Sequence, residues 1–414
     1  MTIVAPNERG AGPTYAAGRF VHDADAHLFE TDGFYEAYAD PGTRERLAAL
    51  DTGSRGRDLA GSIERLHATH HTAQRSQEAA GDVLLHKNLD ALGAFDPHDR
   101  VMALDQLGFQ TQLMFTTTYL RTLTQLDRGD DEELSAGAAR AHNRGIVDFC
   151  SVDPRLLPVC WVPTASTERA AELGREAIAL GAAALMIPSI CPRRQGPSHI
   201  GYDALWAAAQ EAGVPIVFHV GGGRPMVETY KENGLPPVPD FHGGDDNFTS
   251  VSYMAIPEAP MQTLATMIFD GVLDRFPALK VGVIEQGASW LPGWMRSMDS
   301  AAGAFIRNEE RLQSLSLRPS EFVERQVRVT PYPHEDAGWV ISNAGPDICM
   351  FSSDYPHVEG GRHPLKRFDA SLQGLDEATL RGFYSANFAD MMGARVGAEI
   401  GEHAPGERAG EDAA

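Results

Sequence analysis

The chain has 414 residues, 43% of them hydrophobic and 8% aromatic, enough for a large core in one barrel-sized domain or two to three average ones. A formal net charge of −22 argues against nucleic acid and anionic membrane surfaces as partners, because both require a basic face. The four cysteines (Cys150, Cys160, Cys191 and Cys349) form no CxxC pair and sit in or beside apolar runs, so reduced, mostly buried thiols are expected rather than a disulfide frame. No apolar run is long enough to span a bilayer and no leader pattern opens the chain, which sets a cytoplasmic expectation.

Residues 1–18, rich in Gly, Pro and Ala, read as a flexible N-terminal segment. The first strand is predicted at 20–29 and carries Asp23-Ala24-Asp25-Ala26-His27-Leu28-Phe29-Glu30. Side chains two apart on a strand share a face, so Asp25 and His27 converge as half of a possible metal site. Read alone, the same residues could be a turn cap and a histidine that serves the backbone. Residues 31–95 follow as a mixed, partly helical insertion.

From there strands and helices alternate. Short β-rich runs lie at 111–116, 156–163, 184–189, 215–220, 280–286, 326–332 and 348–354. Helical patterns occupy 97–107, 131–149, 167–180, 202–212, 258–275, 288–312 and 335–344. The strands are almost continuously apolar, as expected where both faces are covered. Eight such strands with intervening helices predict a closed (β/α)8 barrel spanning about 19–394, and the absence of a Gly-rich dinucleotide turn disfavours an open doubly wound sheet. A second insertion, 221–256, and the first both emerge at the C-terminal mouth, where each could act as a lid or the second as an oligomer contact. Residues 395–414 read as a disordered acidic tail.

The polar groups at strand ends carry the functional argument. The fifth strand ends on His219, the sixth on Glu285 and the eighth on Asp354, each after an apolar run. Buried carboxylates and imidazoles are costly unless paired or bound to metal, so four strand ends presenting them to one focus imply a metal centre. Glu30, His86, His242 and His357 stand on mouth loops as further candidate ligands. The trio His67, His70 and His71 has helical spacing that could hold a metal, but a solvated helix face is the favoured reading.

These residues resemble the amidohydrolase-related family, the branch that includes aminocarboxymuconate-semialdehyde decarboxylase. The segments that carry the resemblance are the Asp23–His27 motif, Pro215–His219, the run Phe269–Pro292 and, most specifically, Phe351-Ser352-Ser353-Asp354-Tyr355-Pro356-His357. Members of that family often have His or Glu where this chain has Asp25, and His where it has Glu285. The added carboxylates make the site similar to a small branch of amidohydrolase-fold, non-heme dinuclear monooxygenases. That resemblance implies an O2-dependent hydroxylase with two iron (or iron and manganese) ions, a small-molecule substrate and an external electron donor. Asp25, His27, His219 and Asp354 would hold one ion. Glu285 and Glu30 would bridge to or complete the second with help from His86, His242 or His357, and Asp354, His357 and Glu285 would take catalytic roles. The alternative is the commoner chemistry, one zinc or manganese ion serving a hydrolase or non-oxidative decarboxylase. A homodimer fits either.

Overall fold

The computed structural model describes residues 14–50, 59–221, 226–239, 249–393 and 396. Seven parallel strands follow one another in order: β1 His22–Leu28, β2 Thr111–Thr116, β3 Leu156–Trp161, β4 Ala184–Met186, β5 Ile216–His219, β6 Val281–Ile284 and β7 Val327–Val329. Segment 348–355 closes the ring. Met350 N–H donates to Val329 O at 2.9 Å on one side, and Ala24 N–H to Phe351 O at 3.0 Å and His27 N–H to Tyr355 O at 2.7 Å on the other.

The eighth segment makes isolated bridges rather than a regular ladder. Two of its donors are committed elsewhere: Phe351 N–H to Phe383 O and Ser353 N–H to the Asp23 carboxylate. Asp354 also takes a left-handed φ of 52°, which breaks the extended run. The result is an α/β TIM-like barrel, and every strand residue is buried.

Alternation along the strands separates two cores. Leu113, Phe115, Val159, Trp161, Val217 and Ile284 pack with Phe388 and Met391 inside the ring. Met114, Cys160, Leu185, Ile216, Phe218 and Val283 pack outward against the helices. The register of β1 on β2 slips between Asp23 and Ala26, a bulge that admits one extra residue. Asp23 therefore turns towards Gln112 and Ser353, whereas Asp25 and His27 face the mouth centre.

The described residues of the first insertion include four short α-helices, α1 Phe34–Tyr38, α2 Arg44–Ala48, α3 Leu59–His70 and α4 Ala73–Gly81. It leads into α5 Pro97–Leu107, N-capped by Asp96 and ended by left-handed Gly108. Helices α6 Leu120–Asp127, α7 Glu132–Cys150, α8 Thr167–Leu180 and α9 Asp203–Ala212 complete the first half of the ring.

Three sequence expectations are corrected here. The single helix expected over 258–275 is two, Glu258–Phe269 and Val272–Arg275, because Gly271 adopts a φ of 76° between them. The pattern over 288–312 likewise divides into Leu291–Phe305 and Glu310–Ser314. Residues 14–18, expected to be flexible, form a turn tied to the barrel, with Tyr15 N–H on Gln106 O and the Tyr15 hydroxyl accepting from Leu365 N–H. Residues 1–13 and, apart from Val396, the acidic tail lie outside the described residues. All four cysteines are free; Cys191 alone among them is exposed.

Candidate metal centre

Four strand ends and one loop build the centre. Asp25 and His27 enter from β1 after the bulge, and His219 is the last residue of β5. Glu285 follows β6, and Asp354 lies near the end of the closing segment; both adopt a φ of 52°. That conformation is unfavourable for a residue with a side chain and recurs where surrounding structure imposes it. Here Thr330 Oγ1 accepts from Glu285 N–H at 2.9 Å and the Tyr332 hydroxyl donates to Glu285 O at 2.6 Å. Asp354 N–H is held on Asp25 O at 2.9 Å.

The ligand atoms are already gathered. His27 Nε2 lies 3.2 Å from Asp25 Oδ1, 3.6 Å from Asp354 Oδ1 and 3.9 Å from Glu285 Oε2. His219 Nε2 lies 3.4 Å from Asp25 Oδ1 and 3.2 Å from Glu285 Oε2. Donors that share one ion at roughly 2.1 Å stand about 3.0–3.4 Å apart, so several of these separations suit coordination without rearrangement. The imidazoles are oriented from behind, His27 Nδ1 at 3.2 Å from Thr116 O and His219 Nδ1 at 2.8 Å from Val220 O, which leaves Nε2 of each as the free donor atom. Asp25 Oδ2, His27 Nε2 and Asp354 Oδ2 are buried and have no hydrogen-bond partner.

Electrostatics point the same way. Burial, then the charges of Asp354 and Asp25, push Glu285 well above the usual carboxylate range. Burial also raises Asp25, but contacts with His219 and His27 outweigh it and hold that carboxyl well below the ordinary value. Burial and the neighbouring His357 lower His27 to about 4, against the pull of Asp25. Three carboxylates and two imidazoles buried together are costly as they stand, and a divalent cation offsets that cost. The residues fit a metal.

His357 is placed at the edge of this set. Its Nδ1 lies 2.9 Å from Asp354 Oδ1 and its Nε2 3.0 Å from Thr117 Oγ1, and its ring lies 4.0 Å from that of His27. Burial lowers its proton affinity, but the charge and hydrogen bond of Asp354 raise it on balance. Two overlapping groups have metal-ligand spacing, Asp25/His27/His219/Glu285 and His27/Glu285/Asp354/His357.

Two expected ligands stand outside these groups. Glu30 is drawn sideways: Thr116 Oγ1 donates to its Oε1, and Thr118 N–H (2.9 Å) and Thr117 N–H (3.3 Å) donate to its Oε2. His86 is held by carboxylates of the first insertion, Glu78 and Asp90, at 3.0 Å each. His242 lies outside the described residues.

Sequence reasoning passed over three residues that shape the site. Thr117 pairs with His357, and Tyr332 anchors the Glu285 backbone. Lys87 has a buried Nζ without a hydrogen-bond partner; burial lowers it to about 8, opposed by the charge of Asp354. None had a readable signature, because each stands on a loop outside the regular strands and helices.

A family model described as Amidohydrolase matches residues 22–391. No curated protein matches the chain significantly. Among solved structures, the chain is similar to an amidohydrolase from Mycobacterium avium subsp. paratuberculosis K-10 (22% identity, TM-score 0.67, covering 91% of this chain and 100% of that one). It is also similar to a 5-carboxyvanillate decarboxylase from Novosphingobium aromaticivorans with bound manganese (18%, TM-score 0.61, 92% and 99%). A third is a dihydroxybenzoic acid decarboxylase from Polaromonas sp. JS666, also with bound manganese (16%, TM-score 0.57, 91% and 97%). No helix among the described residues is long and apolar enough to cross a membrane.

Proposed function

Given that the chain belongs to the amidohydrolase family, we propose that it is a mononuclear metal enzyme that removes CO2 from a small carboxylated substrate without oxidation. The observation that carries this reading is that the two ligand groups share His27 and Glu285, so they form one compact centre with the His357–Asp354 pair at its edge. The hydrogen bonds of Glu30 to Thr118 N–H and of His86 to Glu78 support one ion over two. Manganese-bound decarboxylases among the similar folds support the same chemistry.

Asp25, His27, His219 and Asp354 would hold the ion, with Glu285 completing the set. When bound, a divalent ion supplies Lewis acidity that orients substrate oxygens and draws electron density from the bond to be broken. The protein's own groups do the rest. Lys87 offers a buried cation to an anionic substrate group, and Phe29 and Phe115, against His357 and His219, provide apolar walls. As the bond to the carboxylate breaks, its electron pair stays on the substrate carbon. His357, steadied at Nδ1 by Asp354, delivers a proton to that carbon, and CO2 leaves.

A second reading keeps one specific support: the Glu285 carboxylate is common to both groups and could bridge two ions. That reading is an oxygen-dependent hydroxylase with two iron or manganese ions and an external electron donor. Metal analysis of protein purified without added metal, paired with a CO2-release assay on hydroxylated benzoates under nitrogen, separates the two. One ion per chain and anaerobic CO2 release are expected. Two ions per chain with reductant-dependent oxygen uptake would overturn the decarboxylase.

A further inference from the structure

We propose that His67, His71 and Asp99 form a second divalent-cation site, suited to zinc, that clamps the first insertion to the barrel. It shares no residue with the mouth centre.

His67 lies on α3 and His71 just beyond its end, four positions apart, so their rings meet edge to face with centroids 4.7 Å apart. Asp99 comes from the first turn of α5, a barrel helix. His71 Nε2 lies 3.3 Å from Asp99 Oδ1, about the separation of two donors on one tetrahedral zinc. One ligand atom from each of the three falls within 4.8 Å of the others. Asp96 Oδ2 stands at the rim, 3.3 Å from His67 Nε2.

Asp99 makes this more than a surface pairing. Its side chain is 2% exposed, and its Oδ2 has no hydrogen-bond partner. Behind it His70, also buried, lies 3.7 Å from Oδ2 with its ring stacked on Phe95. A carboxylate this deeply buried is costly without a countercharge. One cation shared by the two imidazoles and the Asp99 carboxylate supplies that countercharge, and the donor set matches zinc, cobalt or nickel. His67 and His71 are about half exposed, so an ion can enter from solvent and water can complete its shell.

The test uses the full chain, stripped with chelator and titrated with zinc alone. His67→Gln/His71→Gln is expected to bind one equivalent fewer than wild type, whereas Asp25→Asn/His27→Gln, which disables the mouth centre, keeps that equivalent. His71→Cys, which restores a zinc ligand, is expected to keep it too. Zinc should slow amide exchange over residues 61–81 in wild type and not in His67→Gln/His71→Gln. Equal zinc stoichiometry in wild type and the double variant, or exchange over 61–81 that zinc leaves unchanged, would overturn the proposal. The exposure of both histidines makes the double variant compatible with folding.

Discussion

Asp23 on the first strand and Ser353 on the closing segment, 330 positions apart, hold each other twice: the serine N–H donates to Asp23 Oδ1 at 2.8 Å and its hydroxyl to Oδ2 at 2.6 Å. Gln112 Nε2 donates to the same carboxylate at 2.9 Å, so one buried side chain joins three neighbouring strands where the ring closes. Removing it strands several buried donors, each costing about 1–3 kcal/mol. Asp23→Ala is expected to lose about 3–5 kcal/mol in urea unfolding. A loss below about 1 kcal/mol would show that the closure is held elsewhere.

Glu30 holds the loop after β2 through three hydrogen bonds, which motivates the prediction that it is not a metal ligand. Glu30→Ala frees the Thr116 hydroxyl and the Thr117 and Thr118 amides. Stability should fall by about 2–4 kcal/mol while metal content, read by elemental analysis, stays that of wild type. A matching loss of metal would make Glu30 a ligand.

On the proposed mechanism, in which His357 is the proton donor and not a ligand, His357→Gln should lower turnover by about 100-fold or more while the metal is retained. Thr117→Val, which removes only the partner at Nε2, should cost about tenfold or less. If His357→Gln emerges metal-free, the histidine is a ligand instead.

His219→Gln should weaken metal binding by about 100-fold in competition with a chelator, as its Nε2 lies 3.2 Å from Glu285 Oε2 and 3.4 Å from Asp25 Oδ1. Unchanged affinity would exclude His219 from the centre.

The pH dependence of stability has a definite sign. Burial depresses His22 to about 3 and His142 to about 4, from an ordinary value of 6.5. Between about pH 6.5 and 4 the unfolded chain takes up protons that the native one refuses. This contribution is therefore complete above about 6.5 and is lost as pH falls through about 4. His142→Leu should flatten the urea stability profile across that window; an unaltered slope would mean that His142 is charged in the native state.

Much of the barrel was legible because strand and helix patterns are local. β2 falls on Thr111–Thr116, where the sequence places it, and His219, Glu285 and Asp354 sit at the strand ends read from the apolar runs before them. Less legible were details set by single residues. Gly271 at a φ of 76° broke a helix that looks continuous in sequence, and the bulge after Asp23 moved that carboxylate off the face of Asp25.

Sequence alone determined that acids and imidazoles would gather at the mouth, because apolar strands deliver whatever follows them to one end. Which of those groups meet was decided by distant partners. Glu30 stands only three residues beyond His27, yet the Thr116–Thr118 donors draw it away. Glu285 and Asp354 turn towards His27 because contacts from other strands hold both in a left-handed conformation that neither residue favours by itself. Local pattern supplies the candidate ligands, and long-range hydrogen bonds choose among them.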